Sequence, residues 1–432
     1  MFRTTHARSA VAAATAATLA LALSACAGGT AAEPDEYDPN EEVTLDFAFW
    51  GNDIRAEMYE EAIALFEQQH SNIDVRTSFL GFPEFWEKRQ TEAAGGGLPD
   101  VMQFSEQYLR QYTESGLLLD LAPYLGDPIA TDALPEGLLA LGQIDGTTTA
   151  VATSVNAWGM FTNLDVLDAV GIAPFEGGSW EDYEAWMSAV TAAGAGNAFG
   201  GTDWTGRIQN FELQLRAEGS ALFTDAGEPG FDKERLRDFW EQGAANRDGI
   251  AIPQQQLEEL LPLSGFDAGR TATELTWDNF GVSYVNNLGV DPDRITLTAP
   301  PVTEPGAKDL YFKSAMLHTI AASTEHPTAS AMLVDFLVNS PEVGRIFGTN
   351  RGLPASQSQL EGVELGELET QIRDYEASIA DRIGDPPAVP VVGAGALEEK
   401  FRVLGTELGF GTITVDEAVD QFFSEMDVIL AG

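Results

Sequence analysis

VTLDFAFWGNDIRAEMYEEAIALFEQQHSNIDV, residues 43–75, decides the fold class. Val43, Leu45, Phe47 and Phe49 alternate with polar or small residues, the period of a strand. Gly51-Asn52 turns the chain, and Met58, Ala62, Leu65, Phe66 and Gln69 then recur at helical spacing. Ile73 and Val75 open a second strand. Working outward, Phe85 to Ala94 reads as a helix ended by Gly95-Gly96-Gly97. Leu98-Pro99-Asp100 leads into a strand at Val101-Met102-Gln103-Phe104, and Tyr108 to Glu114 is a helix stopped near Gly116. Strand and helix alternating in this order predict an α/β fold with a largely parallel sheet covered by helices. Further on, Ser179-Trp180-Glu181-Asp182 and Thr414-Val415-Asp416-Glu417 have capping-box spacing and open helices. Pro327 to Val338 is another helix, and Gly393-Ala394-Gly395 reads as a loop before a helix from Leu397 to Leu408.

A chain of 432 residues has room for two or three domains. With 68 Asp and Glu against 23 Lys and Arg, the formal charge is −45, and a surface that acidic repels phosphate backbones, so no nucleic acid is expected. The single cysteine, Cys26, allows no intrachain disulfide and no cysteine-based zinc site. The four histidines leave little for a metal site, and no phosphate-binding loop, serine elbow or His-Glu-x-x-His helix occurs. No cofactor, metal or catalytic residue is expected.

Residues 1–25 contain no acid, carry Arg3 and Arg8, and continue into an Ala/Leu/Thr run too short to span a bilayer. The run ends Leu23-Ser24-Ala25-Cys26, which resembles the bacterial lipobox, whose cysteine is lipidated before cleavage. The only cysteine of the chain stands where lipidation needs it. Losing residues 1–25 removes two arginines and moves the formal charge to −47. Residues 26–42 are then the lipidated cysteine and an acidic tether. Its sixteen residues after Cys26 give a coil of roughly 20–25 Å, holding the folded body just off a membrane.

Several segments, in order, resemble the extracellular solute-binding proteins of family 1 that serve carbohydrate ABC transporters. They are the opening 43–75, TEAAGGGLPDVMQFSEQYLRQYTESGLLLDL (91–121), NAWGMFTNLDVLDAVGI (156–172) with SWEDY (179–183), GRTATELTWDNF (269–280), and HTIAASTEHPTASAMLVDFLVNSPEV (318–343) with NRGLPAS (350–356). The resemblance implies the two-lobed type II periplasmic-binding-protein fold. Each lobe would be a mostly parallel sheet flanked by helices, and ligand would sit in the cleft between lobes. It places lobe 1 at 43–152 plus 311–352 and lobe 2 at 153–310 plus 353–432, closing by a hinge motion.

A sugar offers apolar C–H faces and a rim of hydroxyls, and calls for flat aromatic platforms beside planar polar groups. Trp50 and Asn52 end the first strand, and Gln103 lies near the end of the third, where open parallel sheets bind ligands. Asn156 and Trp158 sit in the segment the resemblance sends across the cleft. Trp204 and Arg207 lie in a polar loop, Trp277 and Asn279 match the family's Trp-Ser-Asn element, Phe280 follows Asn279 where the family commonly has a polar or aliphatic residue, and Arg351 stands at a crossing. Trp86, Trp180, Trp186 and Trp240 sit inside helical patterns and read as core.

The expected function is capture of a sugar, a neutral oligosaccharide, by a monomeric lipoprotein that hands it to ABC permease subunits without chemistry. The alternatives are a surface-anchored polysaccharide-degrading enzyme, or the same fold serving a polyamine or metal.

Overall fold

Residues 43–50 form the first strand, β1 (Val43–Trp50), of a computed structural model that describes residues 37–430 except 136, 225, 389 and 392. The leader, Cys26 and most of the tether lie outside the described residues. α1 (Asp53–Gln69) follows because Asn52 caps it, its side-chain oxygen accepting from the Arg55 N–H at 3.1 Å. Its buried face carries Ala56, Tyr59, Ala62, Ile63 and Phe66. β2 (Ile73–Leu80), α2 (Phe82–Gly95), β3 (Val101–Phe104) and α3 (Glu106–Glu114) complete the alternation. α2 stops where Gly96 takes φ 71°, a left-handed turn that glycine makes without strain. β1 pairs in parallel with both β2 and β3.

The next strand organises the molecule. β4 (Ala150–Asn163) is 14 residues long and serves two sheets. Its first half, Ala150–Ala157, lies antiparallel to β7 (Phe312–Ile320), which in turn lies antiparallel to β3. Its second half pairs antiparallel with β5 (Thr273–Trp277) and β6 (Ile295–Thr298), Trp158 standing opposite Trp277. Thr153 is an extra residue on β4, and Ala315 a compensating one on β7 one rung later, so the register is displaced and restored. A short strand, β8 (Leu353–Pro354), edges β4.

The first sheet thus has the parallel β1, β2 and β3 expected of it. The second differs from the mostly parallel sheet expected for each lobe, since every pairing in it is antiparallel. β4 enters that lobe as the crossing strand, and β5 and β6 run back towards the crossing, so they oppose it.

Two sets of core residues flank the crossing. One packs β1, α1, α7 (Pro327–Asn339) and α8 (Pro341–Phe347) through Phe47, Phe49, Tyr59, Phe66, Leu333 and Phe347. The other joins α4 (Trp180–Gly194), α5 (Ile208–Ala217), α6 (Lys233–Gln242), α10 (Ala394–Phe410) and α11 (Val415–Leu430). Trp158, Trp204, Phe211, Trp240, Phe401 and Phe422 fill it. Both capping boxes form, with Ser179 bonded to Asp182 and Thr414 to Glu417. Gly393-Ala394-Gly395 is not a separate loop: α10 begins at Ala394, directly after Gly393.

α9 (Glu367–Ser378) packs on β6, while the short helix Gln357–Leu360 before it stays with α7. There Gln359 donates to the Leu337 carbonyl at 2.9 Å, and Ser358 to the Asn339 carbonyl at 2.8 Å. No described helix is long and apolar enough to cross a membrane.

Candidate functional site: the cleft beside the crossing strands

A cavity of about 450 Å³ opens where β1, α3, α5, β5 and the start of β7 converge. Strand ends bring its main parts there, which is where open sheets present ligands. Trp50 closes β1 and is held edge-on by Phe82 at 5.3 Å and Phe85 at 5.6 Å. Ser105, Glu106 and Gln107 follow the end of β3. Across the space, Trp277 closes β5, edge-on to Trp158 at 5.2 Å and to Tyr311 at 5.9 Å. The Lys313 ammonium lies 5.3 Å from the Trp277 ring. Phe223, Phe231 and Phe312 extend the aromatic lining.

The polar lining is carboxylate-rich. Glu212 of α5 is buried and accepts from the Tyr311 hydroxyl at 2.6 Å. Burial pushes its carboxyl up, against the pull of that hydroxyl and of Arg216 and Lys313. Burial also raises Glu106, which feels Lys313 and, in the opposite sense, Glu212. Glu398 accepts from the Gln209 amide at 2.7 Å. The buried Ser314 hydroxyl lines the cavity with no partner among the described residues. This arrangement offers two tryptophans and a set of acceptors and donors in one lining, the equipment for holding a polyhydroxylated ring.

Of the residues singled out in the sequence, Trp50 and Trp277 meet in this cavity. The others lie elsewhere. Asn52 is the α1 cap. Gln103 is fully buried, accepting from the Tyr59 hydroxyl at 2.8 Å. Trp158 is a core residue whose indole N–H donates to Asn210 at 2.9 Å. Trp204 turns inward onto Trp180, with ring centroids 4.4 Å apart. Arg207 pairs with the buried Glu274 at 2.7 Å and faces a different cavity. Asn156 and Asn279 come together beside a small space of about 60 Å³ near Gly352. Phe280 is exposed and stacks on Tyr284. Arg351 is buried in the first core, its guanidinium 3.9 Å from the Phe347 ring. Trp86, Trp180 and Trp240 are buried, and Trp186 is packed partly against the second core.

Glu106, Glu212, Lys313, Tyr311 and Phe231 were not singled out. For Glu106 the signal existed: it follows a strand end, as Trp50 does. For Glu212 nothing in the sequence separates one acid from the other 67.

Residues 61–364 match the family model described as bacterial extracellular solute-binding protein. An extracellular solute-binding protein family 1 from Alicyclobacillus acidocaldarius is 25% identical, with a TM-score of 0.78 over 91% of this chain and 100% of that one. A periplasmic oligogalacturonide binding protein from Yersinia enterocolitica is 20% identical, with a TM-score of 0.77 over 90% and 99%. The GacH receptor of Streptomyces glaucescens, solved unliganded and with acarbose, is 19% identical, with a TM-score of 0.64 over 90% and 99%. The fold is the two-lobed type II one of these binding proteins. With its cleft built from strand ends between two cores, and the family match covering most of its length, the chain belongs to the bacterial extracellular solute-binding proteins.

Proposed function

We propose that the protein is the substrate-binding lipoprotein of an ABC importer, capturing a neutral oligosaccharide between its lobes and delivering it to the membrane permease. The observation that carries this reading is the presence of Trp50 and Trp277 together in the lining of a cavity of about 450 Å³ that also carries hydrogen-bond acceptors. Sugar-binding relatives of the same fold support it, including those solved with acarbose and, in Listeria monocytogenes, with cycloalternan. A uronate is disfavoured here: Glu106, Glu212 and Glu398 face Lys313, the one lysine or arginine among the described lining residues, so a ligand carboxylate meets net negative charge.

In this reading the lobes are 43–152 with 311–352 and 153–310 with 353–432, and ligand draws them together by bending at the crossings. Cys26 carries the acyl chains and residues 27–42 the tether, so the protein works as a monomer at the outer face of the cell membrane. The carboxylates among aromatic rings also suit a cationic ligand such as a polyamine, which is the second reading.

The test is a thermal-shift panel on residues 27–432 with neutral oligosaccharides, oligogalacturonides and polyamines, followed by chromatography of each sugar. Ligand at 100 times its Kd adds about 2.7 kcal/mol of stability. A shift with a neutral oligosaccharide recovered intact is the expected result. A shift with oligogalacturonide or polyamine alone, or recovery of cleaved sugar, would replace the reading. Mass spectrometry of the protein extracted from membranes tests acylation at Cys26.

A further inference from the structure

Part of the cleft lining comes from chain that carries no hydrogen-bonding side chain. After α5, residues 220–230 fold back on themselves. The Gly230 N–H donates to the Leu222 carbonyl at 3.1 Å and the Thr224 N–H to the Glu228 carbonyl at 2.8 Å, with Phe223 bridged to Pro229. The fold-back leads directly into Phe231, which Phe211 and Phe423 hold edge-on at 4.9 and 5.7 Å. Its tip meets the segment before α10: a Cβ on Gly227 would stand 3.2 Å from Val391 Cγ1. That segment brings Pro387, Ala388 and Pro390 to the same cavity.

Leu222, Phe223, Phe231, Pro387, Ala388 and Pro390 are all half-buried, and all line the cavity that Trp50 and Trp277 line. Their side chains hold neither donor nor acceptor. The carboxylates, amides, hydroxyls and ammonium of the lining come from other elements: the start of α3, α5, the start of β7 and Glu398 of α10.

This division of the lining selects a ligand. A sugar hydroxyl laid against the apolar wall would give up water and find no side-chain partner there, which is unfavourable. A hydrocarbon group laid there leaves water at a gain roughly proportional to its area. An unsubstituted oligosaccharide carries hydroxyls on every ring and matches the polar part of the lining alone. A glycoside with a hydrocarbon aglycone matches both parts. Resting on the sugar-binding reading of this cleft, we propose that its ligand is such a glycoside, the sugar held by the tryptophans and polar side chains and the aglycone by the apolar wall.

The experiment is isothermal titration of the mature chain with maltose, cellobiose and xylobiose, each as its methyl and its n-hexyl β-glycoside, and with hexan-1-ol. The methyl form fixes the same anomer without the apolar bulk, so the ratio of the two Kd values reads the wall. Expected is a ratio of at least about tenfold in favour of the hexyl form, with hexan-1-ol bound more weakly than either the hexyl glycoside or not at all. Phe223→Ser lowers the ratio at least about threefold. Should that variant fail to fold, Ala388→Asp places a charge on the wall from irregular chain and gives the same fall. A ratio under ten in the parent chain overturns the proposal and leaves the sugar-binding reading standing. A ratio that the folded wall variant lowers by less than threefold overturns it too, since the hexyl group then binds elsewhere. So does binding of no hexyl glycoside. Hexan-1-ol bound as tightly as the hexyl glycosides overturns the sugar-binding reading and this proposal together.

Discussion

Where β4 passes from one sheet to the other, the Ala157 N–H donates to Asp278 at 2.9 Å. Asp278 is buried, and the half-buried Glu376 of α9 donates a carboxyl proton to it. Burial pushes Asp278 up to about 7 and Glu376 well above the usual carboxylate range, the second also opposed by the charge of the first. A carboxyl raised in the folded state holds its proton after the unfolded chain has lost it. The folded form then binds more protons, and stability falls as pH rises from about 4 through the folded value. For Asp278 alone, a rise of about three units at about 1.4 kcal/mol each gives about 4 kcal/mol lost across that range. The double variant Asp278→Asn, Glu376→Gln keeps the acceptor for Ala157 and the side-chain pair but removes both protons. Urea unfolding followed by tryptophan fluorescence at pH 5, 6, 7 and 8 reads the difference. Expected is a stability gap, variant minus parent, that grows by roughly 3 kcal/mol or more from pH 5 to pH 8. Glu106, Glu212 and Glu274 are raised in the same direction but occur in both proteins and cancel. A gap constant to within about 1 kcal/mol would refute the argument, showing the pair to be solvated.

Other outcomes are equally open to measurement. Trp277→Ala removes a cleft platform and should raise the Kd for oligosaccharide ten- to a hundredfold, about 1.4–2.8 kcal/mol by titration calorimetry, with the circular dichroism spectrum unchanged. Arg207→Ala strands the buried Glu274 carboxylate and should destabilise by about 3 kcal/mol at pH 8 and by less as pH falls, since burial raises that carboxyl; chemical denaturation at pH 8 and pH 5 tests it. Gly142→Ala places a Cβ 1.9 Å from the Ala150 carbonyl oxygen, a backbone atom that cannot swing aside. The melting temperature should fall by several degrees, as for about 1–3 kcal/mol of overpacking.

The first two strands and the helices were legible because one face was the more deeply buried and periodicity records burial, and β3, buried on both faces, was legible as a short apolar run after a Pro-Asp turn. The antiparallel second sheet was not, since two short strands, β5 and β6, add to the far half of the long β4 more than a hundred residues after it, and local periodicity does not record that pairing. Among the tryptophans, Trp50 and Trp277 were legible from strand ends. Trp204 misled because its loop is polar, yet the loop satisfies itself: Asp203 accepts from Thr205 and Arg247, leaving the indole free to turn inward. Gln103 was one step too early on β3. Side chains alternate faces along a strand, so it points at Tyr59, and the residues after Phe104 reach the cleft instead. Asn52 before Asp53 had the look of a helix cap as much as of a hydroxyl partner, and capping is what it does. The cleft carboxylates come from helices whose mutual placement only tertiary packing decides.

The double membership of β4 also bears on how such a gene can change length. Losing or gaining one codon between Ala150 and Ala157 would invert the facing of Trp158, Met160 and Thr162, swapping core for exterior throughout the second sheet. Thr153 and Ala315 form the exception that fits this rule, an extra residue on one strand answered by an extra residue on its neighbour. Insertions in this lineage should therefore accumulate in loops such as 219–230, while the crossing strand changes by substitution alone or by paired compensating bulges.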